Sequence, residues 1–263
     1  MFIAPLCSSS AANSTFIGNK SSGILIDAGC SYKALLQYLS IQEIDISAVK
    51  AVLVTHEHGD HVKGIKQLTK HNDIPVYASH ATGEYLLKKE MIHNEENLFG
   101  LDQLANVPID YDITAFPTPH DTEGSVGFTI TSPNGYKVAY VTDLGEITAE
   151  VYNSTKGADF VFAEANYDRN MLTRNVRYPY HTKKRIASNR GHLSNNDSAA
   201  YISQMVQSGA TRIMLAHLSR DNNSPQIAYV SVSDKLTSAG MRLNRDYTLD
   251  IAGINTNGEY IAV

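Results

Sequence analysis

The chain reads as an α/β protein, with mixed β-sheets carrying helices on their outer faces and a single domain over residues 1–263. Three observations predict this. Short apolar runs alternate with stretches of helical period along the chain. The run Lys50-Ala51-Val52-Leu53-Val54-Thr55 is continuous and β-branched and stops abruptly at polar residues, as a strand buried on both faces does. No Ser/Gly-rich linker, low-complexity tract or repeat divides the sequence. A domain of this length buries about three-quarters of its unfolded surface, so it needs neither a disulfide nor a metal merely to fold.

Taken in order, 14–18 and 23–28 read as two short strands joined by a Gly/Ser turn, and 34–39 as a short helix. The 50–55 strand follows, then a helix over 62–70, a strand over 74–78 and a helix over 82–91. Strands are expected at 113–118, 127–131 and 137–142, the last two closed by a hairpin turn at Asn134-Gly135. A helix over 147–154 leads to a strand at 158–163. Residues 166–195 show no period and form a basic, lid-like segment. A helix over 197–207 has Asn195 or Asn196 as its N-cap and Gly209 as its stop. A strand at 212–216 and a helix over 225–238, opened by Pro225 and stopped before Gly240, precede closing strands at 247–251 and 259–263.

Composition narrows the function. A formal charge of −5, from 22 Lys and Arg against 27 Asp and Glu, excludes a small, wholly basic nucleic-acid module. With 43% hydrophobic and 19% charged residues the chain is not disordered. Two cysteines, Cys7 and Cys30, exclude a disulfide-rich scaffold and a thiolate zinc finger, and free thiols fit a reducing cytosol. The first residues lack a basic region and a long apolar run, so no signal peptide is read there. No stretch reaches about 18 uninterrupted apolar residues, the length a membrane span needs. The expectation is a cytoplasmic protein.

Chemistry concentrates at His56-Glu57-His58-Gly59-Asp60-His61, directly after the buried strand. Imidazoles with a carboxylate suit zinc, manganese or iron. On a helix His56 and His58 would face nearly opposite ways, so an extended turn at the strand end is expected to present all four ligands. Gly59 is expected to permit the backbone conformation of that turn. Further candidates each follow a predicted strand: His120, Asp143 and His217. A ligand at a strand end is held by a rigid element yet open on one side.

The motif at 56–61, with His120, Asp143 and His217 in order and Asp27 in Leu25-Ile26-Asp27-Ala28-Gly29, resembles the metallo-β-lactamase superfamily. The resemblance covers nearly the whole chain and implies a four-layer αββα sandwich with a dinuclear site. It implies that His56, His58 and His120 bind one divalent metal, that Asp60, His61 and His217 bind the other, that Asp143 bridges, and that Asp27 orients the site from behind. The presence of His58 weighs against an iron redox enzyme, and Asp143 where common zinc lactamases carry Cys weighs against a lactamase. Glu164, Gly191-His192-Leu193-Ser194 and Ala216-His217-Leu218-Ser219 are similar to the phosphodiesterase branch that includes tRNase Z. Taken together, the blocks look most like the YycJ/WalJ/VicX group, regarded as DNA exonucleases. That group opens with Ser-Gly-Ser and a Gly-Asn pair, whereas this chain reads Ser8-Ser9-Ser10 and Ala12-Asn13.

Charge bears independently on substrate. Arg169, Arg174, Arg177, Lys183, Lys184, Arg185 and Arg190 lie in one stretch without an acid, while the other 15 Lys and Arg stand against all 27 acids. A basic stretch in an acidic protein suits a phosphate backbone, and Tyr167, Tyr178 and Tyr180 flank it for base stacking. The expected substrate is nucleic acid, with single-stranded DNA favoured. Lys183, Lys184, Arg185 and Arg220 are the candidate contacts, and an oligomer is left open.

The expected reaction is phosphodiester hydrolysis, in which two divalent ions activate a shared water. His192 and Glu164, with Asp60, are the candidate catalytic groups. His192 holds a phosphate oxygen or protonates the leaving group, and Glu164 sets its protonation state. Two rival readings stay open. One is a small-molecule hydrolase, either a thioesterase of the glyoxalase II kind or a cyclic phosphodiesterase. The other is a non-enzymatic regulator of cell-wall signalling.

Overall fold

The computed structural model describes residues 1–256, 258 and 260–262. It contains two β-sheets flanked by helices, and the chain divides into two compact units: residues 1–113, 122–126 and 253–263, and residues 114–121 and 127–252.

The first unit begins with strands β1 (Phe2–Ser9), β2 (Ala12–Gly18) and β3 (Gly23–Ile26). They are followed by α1 (Tyr32–Ile41), β4 (Val49–Leu53), α2 (Gly59–Val62), α3 (Ile65–Asn72), β5 (Val76–Ala78), α4 (His80–Lys88) and β6 (Leu98–Gly100). The strands β1 to β6 lie side by side in sequence order, antiparallel from β1 to β3 and parallel from β3 onward. Leu6, Phe16, Leu25, Val52, Ile65 and Leu68 belong to its core.

The second unit has β7 (Asp112–Pro117), β8 (Val126–Thr131), β9 (Lys137–Val141), α5 (Ala149–Thr155) and β10 (Phe160–Glu164). Then come α6 (Arg169–Arg174), α7 (Tyr180–Ile186), α8 (Asn195–Gln207), β11 (Arg212–Ala216), α9 (Pro225–Ser238) and β12 (Thr248–Ile251). Its sheet order is β12-β11-β10-β9-β8-β7, parallel from β9 to β12. Val141, Val161, Ile202, Met205, Leu215 and Val232 help fill its core. The last strand, β13 (Ile261–Ala262), pairs antiparallel with β1 in the first sheet. It lies within the closing strand expected at 259–263, of which Glu259 and Val263 fall outside the described residues.

Most expected elements form within a residue or two, and 212–216 and 225–238 coincide with β11 and α9. Four points differ from expectation. The strands β1 and β6 are not anticipated; the eight residues of β1 are all buried. The helix expected over 62–70 is two helices, split at Gly64. Its N–H donates to the Ala28 carbonyl, and a Cβ there would lie 2.4 Å from the Cys30 carbonyl oxygen. The basic segment 166–195, which shows no period in the sequence, contains the helices α6 and α7. The N-cap of α8 is Ser194, whose hydroxyl accepts from the Asp197 N–H.

Candidate metal centre

In the first unit the site is built on Asp27, which follows β3 at a φ of 60°. Its N–H donates to the Leu53 carbonyl, so the chain stays paired to β4 while the side chain turns into the interior. The carboxylate is fully buried. Oδ1 accepts from the Thr55 N–H at 2.8 Å, and Oδ2 accepts from the Thr55 hydroxyl at 2.8 Å and from His61 Nδ1 at 2.7 Å. Burial pushes this carboxyl up from its ordinary value, against the pull of His61 and of the Thr55 donors. Because His61 donates through Nδ1, its Nε2 keeps the lone pair a metal needs.

Three imidazoles gather here. His56 Nε2 lies 3.0 Å from His58 Nδ1, and the His56 and His61 rings are 4.1 Å apart between centroids. Asp60 Oδ2 lies 3.5 Å from His61 Nε2. Glu57 takes no part and accepts instead from the Thr82 hydroxyl. His58 is extended as expected and His56 precedes it outside any helix, but Asp60 and His61 sit on the single helical turn of α2, capped by His58. Gly59 has no left-handed φ, and a Cβ on it would meet nothing within 4 Å. The glycine this turn requires is Gly29, where a Cβ would lie 1.6 Å from the Asp60 carbonyl oxygen. Asn13 was missed from sequence; its Nδ2 donates to His61 Nε2 at 3.1 Å and to Asp60 Oδ2 at 3.3 Å. Its place beside Asp60 and His61 has no local signal, because the β1–β2 hairpin carries it there from 47 residues away.

In the second unit Asp143 follows β9 at a φ of 57°, and His217 follows β11 at a φ of 54°. With Asp27, three strand-end residues carrying chemistry thus hold the left-handed backbone that ordinary residues avoid, as strained functional positions do. Glu164, the last residue of β10, is fully buried. Its Oε1 accepts from His192 Nδ1 at 2.7 Å and His217 Nδ1 at 2.8 Å, and its Oε2 from the Leu193 N–H at 2.9 Å. Burial pushes this carboxyl up, but the charge and hydrogen bonds of His192 and His217 outweigh it and hold the group well below the carboxylate range. The bond to His192 matches expectation, whereas the bond to His217 was unforeseen. Donor atoms of Asp143, Glu164, His192 and His217 all lie within 4.8 Å of one another.

His120 Nδ1 donates to the Gly191 carbonyl at 3.1 Å, again leaving Nε2 with the lone pair. Burial pushes its pKa down, against Asp143, which favours the neutral ring that ligates metals. Asp121, also missed from sequence, lies 3.3 Å from His120 Nε2 and accepts from Arg185 Nε. Asn166 donates to the His217 carbonyl at 2.9 Å, and Asn223 donates to the carbonyls of Ala165 and Asn166, bracing the strand ends. Of the expected substrate contacts, Lys184, Arg185 and Arg220 are exposed; Lys183 donates to the Thr173 carbonyl and Arg185 pairs with Asp121.

These imidazole and carboxylate sets fit divalent metals chemically, and a fully buried carboxylate fixes the tautomer of His61 in the first unit and of His192 and His217 in the second.

The β-lactamase superfamily domain matches residues 23–218. An exodeoxyribonuclease YycJ of Bacillus anthracis is 33% identical over 248 residues, covering 93% of this chain and 92% of that protein. An exodeoxyribonuclease WalJ of Streptococcus pneumoniae is 27% identical over 246 residues, covering 92% and 90%. The crystal structure of the metallo-β-lactamase fold protein YhfI from Bacillus subtilis superposes with a TM-score of 0.71 at 16% identity, covering 97% of each chain.

Proposed function

This chain belongs to the β-lactamase superfamily, and from that premise we propose that it is a metal-dependent nuclease that hydrolyses phosphodiester bonds of DNA. The relatives of matching length carry the name exodeoxyribonuclease. The observation that carries the reading is the pair of carboxylate-braced imidazole sets, Asp27 behind His61 and Glu164 behind His192 and His217.

The proposed metal ligands are His56, His58, Asp60, His61, His120, Asp143 and His217, and the ions are a pair of zinc or manganese, with iron compatible with the same donors. Such ions supply charge neutralisation at the transferred phosphoryl group and a nucleophile at neutral pH. The chain's own residues do the rest. Asp27 and Glu164 hold His61 and His217 in the tautomer that leaves Nε2 available. His192, gripped through Nδ1 by Glu164, turns Nε2 outward, and as imidazolium it would donate from that nitrogen to a phosphate oxygen or to the leaving alkoxide. Arg220 and the basic segment supply charge for the backbone of a single-stranded DNA substrate. Among the described residues no helix is long and apolar enough to cross a membrane. The two free, buried thiols support a cytoplasmic location.

The test is hydrolysis of bis-p-nitrophenyl phosphate and of single-stranded DNA, beside a thioester and a β-lactam, with Zn²⁺ and Mn²⁺ supplied separately. Phosphodiester cleavage lost in Asp143→Ala is expected. Cleavage of the thioester alone, or an undiminished rate in Asp143→Ala, would overturn the reading.

A further inference from the structure

The seven cations of the basic segment are not equivalent. Arg169 pairs with Asp197, Arg177 with Asp221 and Arg185 with Asp121. Lys183 donates to the Thr173 carbonyl, and Arg190 to the His120 carbonyl. Arg174 and Lys184, both exposed, make no such contact among the described residues. Between them lie the two most exposed large apolar side chains among the described residues, Val176 at 97% and Tyr180 at 80%.

Exposure of this kind would mean little on a loose loop, but the residues around it are fastened. Asn175 Nδ2 donates to Asn222 Oδ1 at 2.7 Å, Arg177 pairs with Asp221, and the Tyr178 hydroxyl donates to Asp221 Oδ2 at 3.0 Å. The Lys183–Thr173 bond draws α7 against the end of α6, so Arg174 and Lys184, each one residue beyond a bonded partner, flank the same corner. Tyr180 and Lys184 are one turn apart on α7, which buries none of its residues. Beside them Asn170, Met171, Arg174, Val176 and Arg177 border a cleft of about 470 Å³.

We infer that Arg174, Val176, Tyr180 and Lys184 form a platform that binds an unpaired nucleic-acid strand, with a base stacked on Tyr180 and phosphates at Arg174 and Lys184. An exposed aromatic face can be covered by a base only where that base is unpaired, since a duplex offers edges and backbone. These two exposed cations supply the sequence-independent part of the affinity. Arg185, by its bond to Asp121 beside His120, ties α7 to the imidazoles of this unit. The platform rests on the nuclease reading only in naming the strand as substrate.

The experiment is fluorescence anisotropy of labelled dT20 with the full chain in chelating buffer, which stops turnover. Tyr180→Ala is expected to weaken binding by about 5- to 150-fold, the range for one stacked base, while Tyr180→Phe stays within about twofold. The double variant Arg174→Ala/Lys184→Ala is expected to flatten the salt dependence of log K by about 1.4, two contacts at about 0.7 each. All four positions are exposed, so these variants leave the core intact. Unchanged dT20 affinity in Tyr180→Ala, or an unchanged salt slope in the double variant, would overturn the platform, even if the wild type cleaves bis-p-nitrophenyl phosphate. Tyr180-dependent binding by a protein that cleaves no phosphodiester once Zn²⁺ or Mn²⁺ is restored supports the platform and overturns the nuclease reading instead.

Discussion

Glu164 Oε1 accepts the Nδ1 proton of His217 at 2.8 Å, and this bond decides which nitrogen of that imidazole remains for a metal. The same oxygen accepts from His192 at 2.7 Å, so one carboxylate sets two tautomers. Glu164→Gln keeps the shape but puts an amide N–H or a weaker acceptor against those donors. Metal affinity is expected to fall about 10- to 100-fold, read by titration with Zn²⁺ and competition with a chelator. The carboxyl is held below its ordinary value of 4.5, so in metal-free protein its stabilising effect is present at neutral pH and is lost as the pH falls below about 4.5. The gap in urea midpoint between wild type and Glu164→Gln should therefore narrow on acidification. A gap that widened would reverse that sign.

Asp27 plays the equivalent part in the first unit, and its three donors have no solvent to turn to. Asp27→Ala leaves the Thr55 N–H, the Thr55 hydroxyl and His61 Nδ1 without that acceptor. A loss of about 3–5 kcal/mol is expected by urea denaturation, the cost of removing one partner from a buried, hydrogen-bonded pair. Asp27→Asn, which still accepts from Thr55, should lose about 1–3 kcal/mol. Equal losses in the two variants would show that side-chain volume, not acceptor chemistry, matters at this position.

Much of the candidate site was legible because its residues cluster in sequence or sit where β-branched runs stop: proposing His56, His58, Asp143 and His217 needed no long-range knowledge. The rest depends on contacts between distant segments. Asn13 reaches His61 only through the β1–β2 hairpin. Strand β1 lacks a period-2 pattern because it is buried along its whole length and contains Pro5, beside which its register shifts. Helices α6 and α7 were illegible because one buries only Leu172 and the other nothing, so no apolar stripe marks them. Counting cations along 169–190 found a basic segment, but only the fold shows that Asp121, Asp197 and Asp221 already engage three of them.

The left-handed backbone at Asp143 gives a separable prediction. Both Asp143→Ala and Asp143→Gly remove the carboxylate and should abolish hydrolysis. Alanine must hold a φ near 57°, at about 1–2 kcal/mol, whereas glycine holds it freely. The glycine variant should therefore unfold at higher urea concentration than the alanine variant, by about 1 kcal/mol. The reverse order would mean that the segment relaxes out of this conformation once the carboxylate is gone.

Two glycines, Gly59 within the 56–61 motif and Gly29 packed behind it, should respond in opposite ways. At Gly29 an added methyl would sit 1.6 Å from the Asp60 carbonyl oxygen, and the bond from Ala28 N–H to the His61 carbonyl leaves α2 little room to retreat. Gly29→Ala is expected to destabilise by about 1–3 kcal/mol, as overpacking does. It should also lower metal occupancy by elemental analysis, because the displaced turn carries Asp60 and His61. At Gly59 a methyl meets nothing, φ is not left-handed, and the residue opens a helical turn. Gly59→Ala should therefore be neutral or stabilising by about 0.4–1 kcal/mol, through loss of freedom in the unfolded chain. Loss of metal in Gly59→Ala with full occupancy in Gly29→Ala would move the backbone requirement to the centre of the histidine motif and away from the Asp27 loop behind it.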